Sequence, residues 1–239
     1  MESVLNRFSS IAESALYLQD LFDFFNLEPE IVSKPNPIDF PKPVREGFVF
    51  ENVSFHYPNR EDWVLRDVYF QLGPREKLAL VGENGAGKTT LVKLLTRLYD
   101  PSEGRILLDG KDLRDYDLSQ LRHAVGVIFQ DFVRYHLNAS ENIAVGRIEA
   151  LDDHQRIVEA ARRSLADRVI ERLPDGYQQR IGRWFRQGTN LSGGEWQKIA
   201  LARAYMRDAE LLILDEPTAA LDARAEHQIF SRFVELTED

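Results

Sequence analysis

Cysteine is absent from this 239-residue sequence, which excludes disulfide bonds, thiolate metal ligands and a cysteine nucleophile. No apolar run approaches the roughly 20 residues that cross a bilayer. The first ten residues, MESVLNRFSS, lack the basic and apolar blocks of a signal peptide. Positive charge is also scarce, because 30 Lys and Arg stand against 39 Asp and Glu, for a net charge of −9. We therefore expect a soluble chain that does not bind nucleic acid, since phosphate backbones are bound by clustered positive charge.

Proline is concentrated in one segment, at positions 29, 35, 37, 41 and 43. A stretch so rich in proline cannot form the interior of a helix or a central strand, so residues 29–45 are predicted to be an extended linker. Before it, apolar residues recur at three- and four-residue steps, which predicts an amphipathic helix over about residues 2–26, in a first segment of 1–28. Its apolar face either packs on its own domain or belongs to a partner that is not in this sequence.

Short apolar runs follow the linker, among them 78–81, 125–129 and 211–214. Such runs are typical of parallel strands that are buried on both faces. Helical periodicity alternates with these runs, and it covers residues 88–98, 154–172, 193–207 and 223–236. The alternation predicts an α/β fold.

The clearest motif is GENGAGKT at residues 82–89, which matches G-x-x-x-x-G-K-T between a predicted strand and a predicted helix. Glycines let the backbone turn so that amide hydrogens converge on phosphate oxygens, and the helix start adds free N–H groups. Lys88 supplies a positive charge for the outer phosphates, and Thr89 supplies a hydroxyl for Mg²⁺. The nucleotide-binding residues predicted here are Gly82, Glu83, Asn84, Gly85, Ala86, Gly87, Lys88, Thr89 and Thr90.

Two carboxylates, Asp215 and Glu216, follow the apolar run at 211–214. Ligands in open α/β sheets bind beyond the carboxyl ends of the strands. Asp215 is therefore predicted to hold Mg²⁺, and Glu216 is predicted to orient or deprotonate an attacking water.

A second glycine-rich helix start reads LSGGE at residues 191–195. Ser192 and Glu195 match a capping box, in which each side chain satisfies an amide of the first turn. A capping box does not explain Gly193 and Gly194, which weaken a helix relative to alanine. We interpret the pair as leaving room for an anion, so this helix start is a candidate second site for a γ-phosphate.

Four motifs occur in order: the loop at 82–89, LSGGE at 191–195, LLILDE at 211–216 and ALD at 220–222. Together they resemble the nucleotide-binding domain of ATP-binding cassette (ABC) transporters, over residues 46–239. The resemblance implies a P-loop NTPase fold of the ABC ATPase type. This fold has a mainly parallel core sheet, an antiparallel β-subdomain and a helical subdomain, here at about 131–189.

The resemblance also implies roles for residues that the motifs alone do not explain. Tyr57 matches the aromatic residue that stacks on adenine, and Gln130 matches the glutamine that reaches the Mg²⁺ and the attacking water. Asp222 matches an aspartate that acts across a dimer. Ser192, Gly193 and Gly194 would contact the ATP that is held by a second nucleotide-binding domain. The implied cofactors are ATP and Mg²⁺, and the implied activity is ATP hydrolysis coupled to transmembrane transport.

Segments such as DGKDL at 109–113 and LSQLR at 118–122 look like exporter-type cassettes. In those proteins the cassette follows the last transmembrane helix on the same chain, at the cytoplasmic face of the membrane. Residues 1–28 would then be the cytoplasmic end of that helix, and residues 131–136 would lie where the transmembrane domain is contacted. Two alternatives stay open: a soluble ABC ATPase of DNA repair or translation, and a cassette that binds ATP without turnover.

The sequence departs from the family pattern in two places. The family's switch histidine lies farther beyond the catalytic glutamate than this sequence extends, and we read His227 as an ordinary helix residue. We therefore expect a fragment that lacks the C-terminal part of the domain, binds ATP and hydrolyses it weakly or not at all alone. Residues 180–188 read RIGRWFRQG, where many exporters carry an acidic, glycine-rich segment.

Overall fold

The structure is a computed structural model, and it describes residues 2–129, 131–182, 184 and 188–215. The chain divides into two compact units, Met1–Val32 and Ser33–Asp239. The first unit consists mainly of helix α1, Glu2–Phe25, where the sequence predicts an amphipathic helix. Within the described residues, none of the helices combines the length and the apolar character needed to cross a bilayer.

The second unit contains a four-stranded antiparallel sheet. Its strands are β1 (Phe48–Phe55), β2 (Leu65–Leu72), β3 (Glu103–Leu108) and β4 (Lys111–Asp112), in the order β2-β1-β3-β4. Helix α2, Lys88–Leu95, shares the apolar core of this sheet through Leu91, Leu94 and Leu95. The antiparallel subdomain implied by the resemblance is confirmed.

Most of the proline-rich segment belongs to the second unit, which begins at Ser33. Ile38 forms two backbone hydrogen bonds with the segment at 115–117, and Phe40 is buried in the core of the sheet. The carboxylate of Asp109 accepts hydrogen bonds from the backbone N–H groups of Arg45, Glu46 and Gly47 at 2.8–3.1 Å. This part of the segment is therefore bound to the second unit, and the extended linker over residues 29–45 stays a prediction.

A parallel sheet lies next in the chain. A single 3₁₀ turn, Leu113–Asp115, and helix α3, Leu118–Ala124, lead into β5, Val125–Ile128. Strand β5 pairs in parallel with β6, Leu211–Leu214. The predicted strand at 78–81 is wrong for this structure, because the run has no strand assignment and Val81 is 95% exposed. An apolar run forms a strand only where a neighbouring strand pairs with it, and no described strand does so here.

Short helices build a second core. They are α4 (Ala139–Ala144), α5 (His154–Arg163), α6 (Asp167–Ile170) and α7 (Gly193–Tyr205), with 3₁₀ turns at Ile148–Ala150 and Gly176–Gln178. Ile143, Ile157, Ile170, Ile199 and Met206 are fully buried between them. The helical pattern predicted over 154–172 is interrupted at Leu165, whose φ is +60°. The helix predicted over 223–236 lies outside the described residues.

Candidate nucleotide-binding site

The phosphate loop makes a tight turn directly before helix α2. Gly85 and Gly87 both have φ of +87°, and the Ala86 N–H donates to the Glu83 carbonyl at 3.1 Å. Gly87 is the N-cap of α2 and has no side chain to cap the helix. The first N–H groups of α2 therefore have no N-cap side chain as partner, which is the arrangement that binds anions at a helix start.

The Lys88 side chain folds back onto the start of this loop. Its ammonium donates to the carbonyl oxygens of Gly82 at 2.8 Å and Glu83 at 3.1 Å. Thr89 follows it, half-buried in the first turn of α2. The two residues at the start of the helix thus bring an ammonium and a hydroxyl to the loop that the motif predicts.

Tyr57 lies just beyond β1 and contacts the same helix. Its hydroxyl is 3.0 Å from the Thr90 Oγ1, and its ring meets those of Phe55 and Tyr99 edge to face, with centroid distances of 5.0 and 5.3 Å. The Lys93 ammonium donates to the Tyr57 hydroxyl at 3.4 Å. The structure therefore brings Tyr57 beside the helix that begins at Lys88. No motif predicts the contact with Lys93.

Asp215 follows β6 and is tied to β5, because its N–H donates to the Ile128 carbonyl at 2.9 Å. Its side chain is 6% exposed, and its Oδ2 is buried without a hydrogen-bond partner in the part of the chain that the structure describes. A buried carboxylate oxygen without a partner is costly unless a cation meets it, and Mg²⁺ prefers oxygen ligands. Asp215 thus fits the Mg²⁺ role that the sequence predicts. The described residues contain no cluster of three or more candidate metal ligands.

The start of α7 forms the capping box that the sequence indicates. The Glu195 Oε2 accepts from the Ser192 N–H at 2.9 Å and from its hydroxyl at 2.8 Å, while the Ser192 Oγ accepts from the Glu195 N–H at 3.4 Å. The Ser192 N–H lowers the pKa of Glu195, against the effect of partial burial. Ser192 is exposed, and Gly193 and Gly194 are half-buried. This helix start is open to solvent.

Three predicted residues, Gln130, Glu216 and Asp222, lie outside the described residues. Their roles remain predictions.

A groove lies beside the segment that follows β5. It has a volume of about 550 Å³, and its lining includes Phe129, Asp131, Tyr135, Arg203 and Arg207. Nearby, the rings of His136 and Trp184 stack at 5.1 Å, and Trp184 is 83% exposed. The sequence indicates residues 131–136 as a contact surface and 180–188 as an unusual segment, but no motif predicts that His136 and Trp184 stack.

A glycine loop that leads into a helix beginning with lysine and threonine, in an α/β domain, is the arrangement of P-loop nucleotide-binding domains. The chain belongs to the ABC transporter family, because the sequence profile of that family, described as "ABC transporter", matches residues 65–219. This match confirms the family that the four motifs indicate.

Relatives of known name are similar over most of this chain. The subtilin transport ATP-binding protein SpaT of Bacillus subtilis is 39% identical over 238 residues, which cover 100% of this chain and 38% of SpaT. The ATP-dependent lipid A-core flippase of Alkalilimnicola ehrlichii is 42% identical over 211 residues, or 88% of this chain and 35% of the flippase. The chain therefore spans less than half the length of these relatives.

A solved structure is also similar. A bacterial Atm1-family ABC exporter with ATP bound superimposes with a TM-score of 0.84 at 34% identity, covering 96% of this chain and 39% of the exporter chain. The similarity confirms the ABC ATPase fold.

Proposed function

We propose that this chain is the ATP-binding and ATP-hydrolysing module of an ABC exporter. The observation that carries the proposal is the phosphate loop, in which two left-handed glycines and the Lys88 ammonium surround the uncapped start of α2. The relatives support export, since they include a transport ATP-binding protein, a flippase and an exporter with ATP bound. Their names carry different cargoes, so we assign no cargo to this chain.

In the proposed mechanism, the loop amides and Lys88 hold the phosphates, and Tyr57 stacks on the adenine. Thr89 and Asp215 are the residues that would hold Mg²⁺, which neutralises phosphate charge and orients the outer phosphate when it is bound. Gln130 and Glu216 would position the attacking water, and Glu216 would accept its proton.

We further propose that a second nucleotide-binding domain completes the site. The exposed Ser192 and the half-buried Gly193 and Gly194 can be reached by a nucleotide on a neighbour. In a head-to-tail pair, each ATP would lie between the Lys88 loop of one copy and the Ser192 helix start of the other. Asp222 would act across the same contact. Loss of the γ-phosphate removes an interaction that only the closed pair makes, so hydrolysis shifts the population toward the open pair.

The groove beside residues 131–136 is the surface that we propose for the transmembrane domain. Val133 is exposed, and Trp184 extends the same region as a large uncovered aromatic ring. Under this proposal the module works at the cytoplasmic face of the membrane, and residues 1–28 form the cytoplasmic end of the last transmembrane helix.

Calorimetric titration with Mg-ATP tests the proposal. Replacing Lys88 by alanine should weaken binding at least tenfold, because charge-assisted contacts to phosphate contribute about 1.5–3 kcal/mol each. Lys111→Ala is the matched control, since Lys111 is exposed in β4. Equal ATP affinity in Lys88→Ala and the parent chain would refute the assignment of the loop.

The turnover of the chain alone is a second measurement on the same protein. We expect weak or no hydrolysis of Mg-ATP. Hydrolysis at about 1 per second or faster that is abolished by Glu216→Gln would contradict that expectation.

A further inference from the structure

Helix α2 holds Tyr57 by its hydroxyl. The Thr90 Oγ1 lies 3.0 Å from the phenol oxygen, and the Lys93 ammonium donates to the same oxygen at 3.4 Å. Thr90 and Lys93 are three residues apart, so they lie on one face of the helix. Two side chains of a single helical turn thus converge on the Tyr57 hydroxyl oxygen.

The Lys93 ammonium meets the hydroxyl end of the ring and not its centre. It is 5.2 Å from the ring centroid but 3.4 Å from the hydroxyl oxygen. A cation in this position fixes the phenol without lying over the middle of the ring. Lys93 itself therefore does not occupy the position over the ring centre where an aromatic base would stack.

The rest of the environment restricts the same ring. Phe55 and Tyr99 contact it edge to face, and Tyr57 is packed against the core of the antiparallel sheet. A ring that is fixed before the ligand arrives loses less conformational freedom on binding. The two contacts from α2 therefore preorganise Tyr57.

We propose that Lys93 is a positioning residue for adenine, acting through the Tyr57 hydroxyl. Lys88 would serve the phosphates and Lys93 the base, from opposite ends of one helix. This inference rests on the proposed function, because it requires that the base stacks on Tyr57.

Calorimetry with two probes, Mg-ATP and Mg-tripolyphosphate, tests the inference. Lys93→Met should weaken ATP binding about three- to tenfold, the range expected when one side chain loses its preorganisation. Its affinity for tripolyphosphate, which has no base, should stay unchanged. Lys93→Arg keeps a cationic donor and should restore most of the ATP affinity. Lys111→Met is the control for the loss of one surface charge.

Tyr57→Phe supplies an independent variant, because phenylalanine keeps the stacking surface and removes only the hydroxyl. It should lose at least as much ATP affinity as Lys93→Met, because it also removes the contact with Thr90, and the double variant should lose no more than Tyr57→Phe alone. Should Lys93→Met fail to fold by circular dichroism, Lys93→Ala takes its place on both probes, because Tyr57→Phe alone does not separate Lys93 from Thr90.

Three results would overturn the inference. They are an unchanged ATP affinity in Lys93→Met, an equal loss for ATP and tripolyphosphate, and losses that multiply in the double variant. Each of these leaves ATP binding by the parent chain intact. A parent chain that binds no ATP would instead overturn the proposed function itself.

Discussion

The two left-handed glycines of the phosphate loop allow a matched test of how the loop is built. Gly85 and Gly87 share the same φ of +87°. A Cβ added at Gly85 would meet nothing within 4 Å, whereas one at Gly87 would lie 2.6 Å from the Leu65 Cδ2 and 3.2 Å from the Val64 carbonyl oxygen. Alanine at the two positions would therefore differ in steric contact at the same φ.

The expected magnitudes follow from this difference. Alanine in the left-handed region costs about 1–2 kcal/mol, and this cost is common to both variants. Leu65 is buried in the core of the sheet, so its side chain cannot move aside freely. Overpacking of this kind adds about 1–3 kcal/mol. We expect Gly85→Ala to lower the free energy of unfolding by about 1–2 kcal/mol and Gly87→Ala by about 2–5 kcal/mol.

Urea unfolding followed by circular dichroism measures both values. Adding Leu65→Ala to Gly87→Ala should give less than the sum of the two losses, because the clash is then removed. Equal stability of Gly85→Ala and Gly87→Ala would refute the packing of the loop against β2. Additive losses in the double variant would refute it independently.

Two further predictions concern stability. Burial raises the pKa of Asp109, but the hydrogen bonds that its carboxylate accepts from backbone N–H groups lower it by more. The pKa of Asp109 in the folded protein therefore lies below the ordinary value. Its stabilisation is therefore present above the ordinary carboxyl pKa and is lost as pH falls through the lowered one. Asp109→Asn should cost about 1 kcal/mol at pH 7, and urea unfolding near pH 3 should show a smaller difference. Arg203 donates to both side-chain and backbone oxygens of Asn142 at 2.9 Å and to the Val133 carbonyl; burial lowers its pKa to about 10, so it stays charged at pH 7. Thermal and urea unfolding should show that Arg203→Met lowers the free energy of unfolding by about 2–4 kcal/mol. The control is Arg163→Met, which removes an exposed ion pair with Glu159 on one helix and should cost less than about 0.5 kcal/mol.

The local conformations that the sequence predicts at the candidate site are specified by neighbouring residues. The conformations of Gly85 and Gly87 follow from the motif, since their backbone lies in a region that glycine enters without steric cost. The capping box of Ser192 and Glu195 needs only residues three apart. Asp215 follows a strand whose apolar run marks it. In each case a few consecutive residues are enough to determine the local conformation.

The parts that the sequence does not predict depend on contacts between distant segments. The run at 78–81 has the composition of a buried strand, but composition does not supply a pairing strand. The prolines predict an extended segment before the domain, but not that Phe40 is buried in the core of the sheet. The stacking of His136 on Trp184 joins two segments that are 48 positions apart in the sequence, and no local pattern predicts it.

The starts of α2, at Lys88, and of α7, at Gly193, belong to different parts of the second unit. This difference bears on how the two helix starts can work together. Helix α2 packs in the core of the antiparallel sheet, and Tyr57 packs against the same core and contacts the helix through Thr90. Helix α7 contributes Trp196 and Ile199 to the helical core, and Ala200 and Leu201 pack against Ile128 of β5. A force applied at the exposed start of α7 would therefore reach both apolar cores, because close-packed interiors transmit strain. A neighbour that binds at Ser192 would thus act on a helix anchored to the strand that precedes Gln130.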